Sequence, residues 1–377
     1  MVDRQDDSAR AERFWPQVIL LLLTVYAFLV SVGLLGASFK LFGQDLAREL
    51  IAATSNPLVG LLAGILATTV AQSSSSTTSI TVGMVAGGAL TIEGAIPIVM
   101  GANIGTSVTN ILVSMGHITR KEEFTRALAG ASVHDFFNLI AVAVLLPVEL
   151  LLHLGPEGHG PLFWLSERAA AVFAGAGGMT FASPLQLIVS PAVKALIAFL
   201  GGNAVICLLV ALGAMFGALK GLVSLTGGVV VKRSEKFLHR YLFGSASIAM
   251  LFGVVITAVV QSSSVTTSLV VPLVGAGLLT VEQIFPYTLG ANVGTTITAM
   301  LASLCTGSVL AVTVAFSHLF FNIVGIALIY PVPAVRRLPV VMARALAAVT
   351  NRNRLYAIAY VVLAFYALPL LALLIWR

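Results

Sequence analysis

Long apolar runs separated by short polar stretches dominate the pattern of this chain. The runs at 18–32, 205–216 and 355–376 contain no charged residue. A helix needs about 20 apolar residues to cross a bilayer, and these runs lack the alternation of a transmembrane β-strand. The pattern therefore predicts an all-α polytopic membrane protein.

Small polar residues interrupt the apolar sequence twice, in nearly identical segments. Residues 72–79 read QSSSSTTS, and residues 261–268, 189 positions later, read QSSSVTTS. Aligning 72–109 with 261–298 gives 20 identities in 38 positions, so one unit is duplicated. A duplicated polar motif inside apolar sequence predicts a substrate pathway through a membrane. We call the two eight-residue segments the first and second Gln-Ser motifs.

Breaks in the apolar pattern and clusters of charge divide the chain. Glycine and proline crowd residues 51–116, which predicts broken helices and re-entrant hairpins around a buried or cavity-lining site. The predicted divisions are a cytoplasmic tail (1–15), a first transmembrane repeat (16–150), an external linker with a re-entrant or short helix (151–194), a second transmembrane repeat (195–333), and a basic cytoplasmic loop with a final transmembrane helix (334–377).

Loop charge predicts that the two repeats have inverted topology. The loop after the first Gly-Ala-Asn element, 117–126, is basic, whereas the equivalent loop at 305–308 has no charge. Cytoplasmic loops of membrane proteins carry an excess of Lys and Arg, so the two loops are expected on opposite sides. Inverted repeats with broken helices are common in secondary transporters. We predict a multi-pass protein of the cell membrane with a cytoplasmic N-terminus.

Composition and the absence of known motifs argue against several classes of function but do not identify one. The chain is 58% hydrophobic and 10% charged, against about 25% charged residues in soluble domains. The net charge of +6 comes from basic residues in short loops, which indicates no nucleic-acid partner. Neither Cys207 nor Cys305 has metal or redox spacing. Without a nucleotide-binding loop or nucleophile elbow, we predict no enzyme and no cofactor, and an ion gradient as the energy source.

The Gln-Ser motifs carry hydrogen-bonding groups but no formal charge. Hydroxyls and amides both donate and accept hydrogen bonds, and helix starts favour anions. Hydroxyl and backbone carbonyl oxygens also suit a small cation such as sodium. The motifs could therefore serve an anion, a cation, or both. Polar contacts between helices are the alternative, and the occurrence of two near-identical copies favours the functional interpretation.

A second duplicated element follows each motif. Its copies are Asn103, Gly105 and Thr106, and Asn292, Gly294 and Thr295. The asparagines can supply carbonyl oxygen or amide donors. The glycines permit close approach or a left-handed turn, and the threonines could cap the following half-helix. Helix capping and close packing alone would also explain this element.

A third pair has a shorter offset of 184. It comprises 134–138, read HDFFN, and 318–322, read HLFFN. Ionisable residues inside an apolar segment are candidates for function, although a His and an Asn four apart can simply join helices. Both interpretations stay open here. Glu93 and Glu282 also repeat, and we expect them at hairpin tips rather than in the site.

These segments together resemble the type II sodium-dependent phosphate cotransporter family. The resemblance rests on the paired QSSS runs, GANIGTSVTN at 101–110, GASVHDFFN at 130–138, GANVGTT at 290–296 and HLFFN at 318–322. It implies sodium-coupled symport of inorganic phosphate by alternating access, with the two motif regions facing each other. Transport of a related small anion, proton coupling, or a non-transporting role in phosphate signalling are the alternatives.

The resemblance assigns residues to both ions. The predicted phosphate ligands are Gln72, Ser73, Ser74, Ser75, Thr78, Gln261, Ser262, Ser263, Ser264 and Thr267. The predicted ligands of sodium, the only expected metal ion, are Gln72, Ser75, Asn103, Thr106, Gln261, Ser264, Asn292 and Thr295. The predicted supporting residues are His134, Asn138, His318 and Asn322. A homodimer in a lipid bilayer is compatible with these assignments.

Two departures from the family pattern are visible. Animal members carry a large disulfide-bonded loop between the halves, whereas the linker here is short and has no cysteine. This indicates a compact, microbial-type member. Electrogenic animal members also have an aspartate between the first motif and the next proline, and 80–92 has no acidic residue. Electroneutral transport with one fewer sodium is therefore the working hypothesis.

Overall fold

The computed structural model describes the backbone of residues 2–242 and 245–375, and the side chains of 16–178, 184–226 and 245–375. These residues are almost entirely helical, with one isolated β-bridge between Leu154 and His159. Six described helices are long and apolar enough to cross a membrane, or seven if a bent pair counts as one span. The all-α polytopic prediction is confirmed.

The first half contains nine α-helices. They are α1 (Val2–Phe42), α2 (Gln44–Ala53), α3 (Pro57–Ala71), α4 (Ser74–Ala86), α5 (Ile92–Gly105), α6 (Ser107–Ser114), α7 (Lys121–Leu151), α8 (Pro161–Gly175) and α9 (Gly178–Phe199). A 3₁₀ turn, Met115–His117, joins α6 to α7. Helices α2 and α3 form the bent pair, with an angle of 99° between them.

The second half repeats this order. Its helices are α10 (Ala204–Leu242), α11 (Ala246–Val260), α12 (Ser263–Ser268), α13 (Val270–Gly275), α14 (Val281–Leu304), α15 (Val309–Ile329), α16 (Pro333–Arg352), α17 (Leu355–Val361) and α18 (Leu368–Ile375). A π-helical segment, Val362–Ala367, joins α17 to α18. The first motif begins the single helix α4, whereas the helix that follows the start of the second motif is divided into α12 and α13. Pro272 explains the division, because it has no N–H to bond the carbonyl of Ser268.

Some predicted boundaries are wrong. The first transmembrane repeat was predicted to begin at residue 16, after a separate tail at 1–15, but α1 is one helix over Val2–Phe42. The expected loop 117–126 is short, because α7 already begins at Lys121. The expected basic loop after 334 is the amphipathic helix α16, since its arginines and apolar residues fall on different sides of one helix. Side chains of the predicted tail, and residues 376–377, lie outside the described part.

The two halves interlock by exchanging helices. Helix α8 of the first half packs on α15 of the second, and α16 of the second packs on α7 of the first. The first-motif helix α4 packs on α14, and the second-motif helix α12 packs on α6. Helices α1 and α10 also pack together. Each contact has a counterpart with the halves exchanged, so the repeats share one core. Their inverted orientation across the bilayer stays a prediction.

Within each half, two helices approach at backbone distance. Helix α3 lies along α5, and α11 lies along α14. A Cβ atom at Gly101 would overlap the Leu61 carbonyl oxygen, and one at Gly290 would overlap the Met250 carbonyl oxygen. Small residues allow this approach in membrane proteins. The duplicated glycines thus lie where α3 contacts α5 and where α11 contacts α14.

We expect Gly101→Ala and Gly290→Ala to destabilise the protein. The new methyl would overlap a backbone oxygen that cannot rotate away, so the cost should exceed the ~1–3 kcal/mol of ordinary overpacking. Thermal unfolding in detergent measures the loss. Gly213→Ala is the matched control, because its Cβ meets no atom within 4 Å. Equal melting temperatures for all three variants would contradict this packing.

Candidate functional site

Each Gln-Ser motif begins at a glutamine in the left-handed conformation. Gln72 has φ 50° and ψ 31°, and Gln261 has φ 60° and ψ 23°. They are the only non-glycine residues with positive φ in the described chain. This conformation costs a residue with a Cβ about 1–2 kcal/mol. Strain of this kind concentrates at functional sites, and here it ends α3 and α11 at equivalent positions.

The serine after each glutamine starts the next helix. The Ser73 hydroxyl accepts a hydrogen bond from the Ser76 N–H at 3.2 Å, and the Ser262 hydroxyl accepts one from the Val265 N–H at 3.3 Å. Serine is a favoured N-cap because its oxygen satisfies a free N–H of the first turn. Each motif therefore contains the two residues that break the helix: a left-handed glutamine that ends one helix and a serine that caps the next.

A hydrogen bond between two threonines joins the helices on either side of each break. Thr68 donates to Thr77 at 2.8 Å, and Thr257 and Thr266 share a hydrogen bond of the same length. The bonds join α3 to α4 and α11 to α12 across the two breaks. Our sequence analysis missed Thr68 and Thr257. Extending the 189-residue offset upstream of the motifs would have found them.

The two motifs meet across the interface between the repeats. The Ser75 hydroxyl donates to the backbone oxygen of Gln261 at 3.3 Å. Thr267 donates to the side-chain oxygen of Asn110 at 2.9 Å, which ties α12 to α6. Tyr287, also missed from sequence, donates to the backbone oxygen of Thr266 at 3.0 Å. Residues 186 and 157 positions apart thus share one polar region.

Most predicted ligands lie in this region, but the two halves differ in exposure. Gln72 is exposed, and no hydrogen bond of its side chain is found among the described residues. The Gln261 side chain is half-buried, accepts from Thr298 at 2.8 Å and donates to the backbone oxygen of Ala258. Ser73 and Ser262 are also half-buried. The buried members are Ser74, Ser75, Thr78, Asn103, Thr106, Ser263, Ser264, Thr267, Asn292 and Thr295.

The threonines and glycines of the second duplicated element do not play the roles that we expected from the sequence. Thr106 and Thr295 do not cap helices: each hydroxyl donates to the carbonyl four residues earlier, Ala102 and Ala291, at 2.9 Å. Thr295 lies inside the continuous helix α14, so it has no half-helix to cap. Gly105 provides close approach rather than a left-handed turn, since its Cβ would lie 2.7 Å from the Ile65 oxygen.

A buried network joins His134 and Asn138 of α7 to the second repeat. His134 bonds the side-chain oxygen of Asn292 through Nε2, and the Asn292 amide donates to the Asn138 oxygen at 2.9 Å. The Asn138 amide donates to the backbone oxygen of Asn103 at 2.8 Å. All four residues are buried. These residues connect the three helices α5, α7 and α14.

The equivalent network of the second repeat is not formed. Both ring nitrogens of His318 and the side-chain oxygen of Asn322 are buried without a hydrogen-bond partner. The Asn322 amide donates to the backbone oxygen of His318, within its own helix. Asn103, the counterpart of Asn292, donates to Val99 of its own helix at 2.9 Å. His and Asn side chains are thus connected between helices in one half, and in the other half they are unpaired or bonded within their own helix.

The family of the chain follows from sequence comparison. The Na+/Pi-cotransporter family profile matches residues 27–148 and 214–369, which include both motifs and both His-Asn pairs. The chain belongs to the Na+/Pi-cotransporter family. The profile leaves 149–213 unmatched, and this stretch contains α8 and α9.

Relatives of this Na+/Pi-cotransporter family member cover most of the chain. It is 32% identical to sodium-dependent phosphate transport protein 2B of Pongo abelii, across 96% of this chain and 66% of the relative. It is 35% identical to sodium-dependent phosphate transport protein 2A of Ovis aries, across 94% of this chain and 66% of the relative. The chain thus spans about two thirds of the length of these relatives. No solved structure matches it.

Among the described residues of this Na+/Pi-cotransporter family member, one cluster of His and Glu outside the motifs has the spacing of metal ligands. Atoms of Glu157, His159 and Glu167 lie within 4.8 Å of one another. The His159 ring contacts both carboxylates, with Nε2 at 3.4 Å from Glu157 and Nδ1 at 3.7 Å from Glu167. The His159 ring also stacks on Phe163 at 3.9 Å. We assign this cluster to the structure of the linker.

We expect the glutamine side chains, and not only their backbone turns, to be needed for transport. Gln72→Gly and Gln261→Gly remove the side chain while relieving the left-handed strain. Gln72→Gly should fold at least as well as the wild type, whereas Gln261→Gly also loses the side-chain hydrogen bonds with Thr298 and Ala258. Each variant should lose at least about tenfold in phosphate uptake, the effect of ~1.4 kcal/mol. Uptake into proteoliposomes and thermal unfolding measure the two properties. Ser55→Ala, at an exposed serine outside the motifs, is the control. Full uptake by both glycine variants would contradict the assignment.

Proposed function

We propose that this protein is a secondary symporter that couples inward sodium movement to the uptake of inorganic phosphate. Three findings support the proposal: the family, the phosphate transporters among its relatives, and the meeting of the two Gln-Ser motifs. The contact between Ser75 and the Gln261 backbone carries most weight. It brings the duplicated polar segments to one place inside an apolar bundle. We assign the protein no enzymatic role and no cofactor.

The chemistry of the site gives a reason for sodium coupling. No Lys or Arg side chain is buried among the described residues, so the motif region has no fixed positive charge. Hydroxyls, amides and helix N–H groups can orient a phosphate, but they do not neutralise it. Charge is costly in a low-dielectric environment unless it is paired. A sodium ion bound beside the phosphate supplies the missing charge, so each ion favours binding of the other.

The proposed ligands follow from this arrangement. Motif hydroxyls and first-turn N–H groups serve as donors to phosphate oxygens. Backbone carbonyls freed by the breaks at Gln72 and Gln261 serve as sodium ligands, together with hydroxyl oxygens of the motifs. Many of these hydroxyls now bond a carbonyl of their own helix, as Thr78 bonds Ser74 at 2.9 Å. Such local bonds can be exchanged for ligand bonds at little cost.

Alternating access is supported by the difference between the two halves. In this structure the His134–Asn292 bond is formed, whereas His318 is unpaired and Asn103 bonds its own helix. Helix α15, which carries His318, packs on α5, which carries Asn103. The unformed bond therefore has both partners on adjacent helices. Because the two repeats contain equivalent residues, the opposite state of the transporter would form the His318–Asn103 hydrogen bond and break the His134–Asn292 hydrogen bond.

Sodium coupling predicts which gradient drives uptake. Radiolabelled phosphate should accumulate in proteoliposomes under an inward sodium gradient, and a potassium gradient should not replace it. Uptake should be electroneutral, as the lack of an acid at 80–92 suggests, so phosphate should evoke no current. Excess arsenate and sulfate test whether the site selects phosphate among oxyanions. Uptake that ignores the sodium gradient would overturn the coupling.

Exchange between the two His-Asn pairs predicts opposite effects of equivalent mutations. His134→Ala removes a bond of the present state, and His318→Ala removes one of the opposite state. Losing ~1 kcal/mol should shift the equilibrium about fivefold, in opposite directions. Maleimide labelling of Ser73→Cys and Ser262→Cys, with both native cysteines replaced by alanine, reports the shift. Ser132→Ala, whose hydroxyl bonds only its own helix, should shift neither. Equal shifts in one direction would exclude the exchange.

A further inference from the structure

A basic cavity lies between α16 and the first turn of α14. Its volume is about 520 Å³, and its walls include Arg336, Arg337 and Arg344 of α16 and Glu282 of α14. Three positive charges against one negative charge leave a net charge of +2. The walls of this cavity lie outside both Gln-Ser motifs and outside the His-Asn network. We call it the α16 cavity.

The three guanidinium groups of the α16 cavity are positioned but only partly paired. The Cζ atom of Arg336 lies 5.1 Å from the centre of the Tyr330 ring, a cation–π contact that uses none of its N–H donors. Arg344 contacts the Glu282 carboxylate through Nη2 alone, at 2.8 and 2.9 Å. Arg337 has no hydrogen bond or ion pair within the described part of the chain. Most N–H donors of these side chains therefore remain available to a ligand.

This arrangement suits the oxygens of a phosphate group. The planar fork of arginine matches a phosphate in two parallel hydrogen bonds. Arg336 and Arg337 also lie in the first turn of α16, which has no acidic residue and no side-chain cap. The positive end of a helix dipole disfavours cations in the first turn, so a bound anion would relieve a repulsion that the chain itself leaves uncompensated.

The surroundings of the α16 cavity indicate which side of the membrane it faces. Arg126, from the basic loop 117–126 and the start of α7, lines a neighbouring cavity together with Arg344. Glu93, the counterpart of Glu282 in the first repeat, instead lines a cavity with Glu157 and Glu167 of the linker. Equivalent helix starts thus have basic surroundings in one repeat and acidic surroundings in the other. Because cytoplasmic loops carry the excess of Lys and Arg, we expect the α16 cavity at the cytoplasmic face.

Helix α16 also has an apolar face exposed beside its arginines. Leu338, Val341 and Val349 share one face by their helical spacing and are 46%, 58% and 50% exposed. Arg337 and Arg344, seven residues apart, lie on the adjacent face. An apolar face next to a row of basic residues is typical of a helix that lies at the level of the lipid headgroups. The ligand of the cavity therefore has access from the lipid.

We propose that the α16 cavity binds the phosphate group of an anionic phospholipid from the cytoplasmic leaflet. The phosphodiester oxygens accept hydrogen bonds from Arg336, Arg337 and the free N–H groups of Arg344, and the acyl chains lie along the exposed apolar face of α16. Basic pockets on the cytoplasmic side of membrane proteins bind such headgroups. A zwitterionic lipid is disfavoured, because its own cation would enter a site of net positive charge. Free phosphate offers the same oxygens but leaves the apolar face uncovered.

Neutralising two of the arginines should remove the lipid site. We expect the double variant Arg336→Gln with Arg337→Gln to bind phosphatidylglycerol at least about tenfold more weakly than the wild type, because charge-assisted hydrogen bonds are lost. Native mass spectrometry of the purified full-length chain in an uncharged detergent measures the affinity. Phosphatidylglycerol should also raise the melting temperature of the wild type more than that of the variant. Phosphatidylcholine should bind weakly to both.

The matched control removes the same charge from the other end of α16. Arg352 and Arg354 are exposed and lie outside the walls of the α16 cavity. Arg352→Gln with Arg354→Gln should keep the phosphatidylglycerol affinity within about twofold of the wild type. An equal loss in the two double variants would overturn the proposal, because it would show a general attraction between a basic surface and an anionic lipid.

A single variant separates loss of the site from loss of folding. Arg337→Gln breaks no hydrogen bond or ion pair within the described part of the chain, so its melting temperature without lipid should equal that of the wild type. Its phosphatidylglycerol affinity should still fall about fivefold. Unchanged affinity in this folded variant and in the double variant would contradict the assignment.

Inorganic phosphate distinguishes the two sources of the same chemistry. Phosphate added without sodium should leave the binding of phosphatidylglycerol unchanged. If phosphate displaces the lipid, or if phosphatidylcholine binds as tightly as phosphatidylglycerol, the α16 cavity is not a site for an anionic phospholipid. None of these measurements requires transport, so they test the lipid site even if the proposed symport fails.

Discussion

The two left-handed glutamines are the constraint on which the rest of this structure depends. A helix that breaks within a bilayer exposes backbone groups that lipid cannot satisfy. Here three features compensate each break at Gln72 and Gln261. A serine caps the next helix, a pair of threonines forms a hydrogen bond across the break, and glycines bring the neighbouring helix to backbone distance. The helix ends and freed carbonyls that could bind ions are therefore placed inside protein.

The absence of buried basic residues in the described chain shapes the chemistry of the site. A fixed arginine would bind phosphate without help and would hold it tightly in every state. In the proposed symport, hydroxyls and helix ends orient the anion, and a bound cation supplies the compensating charge. In this proposal, the coupling between sodium binding and phosphate binding arises from the attraction between the two ions.

The two halves are similar in sequence but differ in their contacts. One His-Asn network is formed and the other is separate, one glutamine is bonded and the other is exposed. Reciprocal packing of α8 on α15 and α16 on α7 links these differences, because neither half can shift without moving helices of the other. The buried Asp135, whose counterpart in the second repeat is Leu319, adds a difference that exchange of the repeats cannot reverse.

Apolar runs, the duplicated motifs and the clustering of glycine were sufficient to predict the helical class, the broken helices and the polar region between two repeats. These features depend on local composition and on an internal comparison, which a sequence contains in full. Tertiary structure alone decided which polar groups are satisfied. Thr106 bonds its own helix instead of capping, Thr68 bridges a break, and His134 pairs across the repeats while His318 does not. A change of a few tenths of an ångström in the distance between two groups can make or break a hydrogen bond, and the groups concerned lie far apart in the chain. Identical sequence elements therefore acquire different partners once the two halves pack asymmetrically.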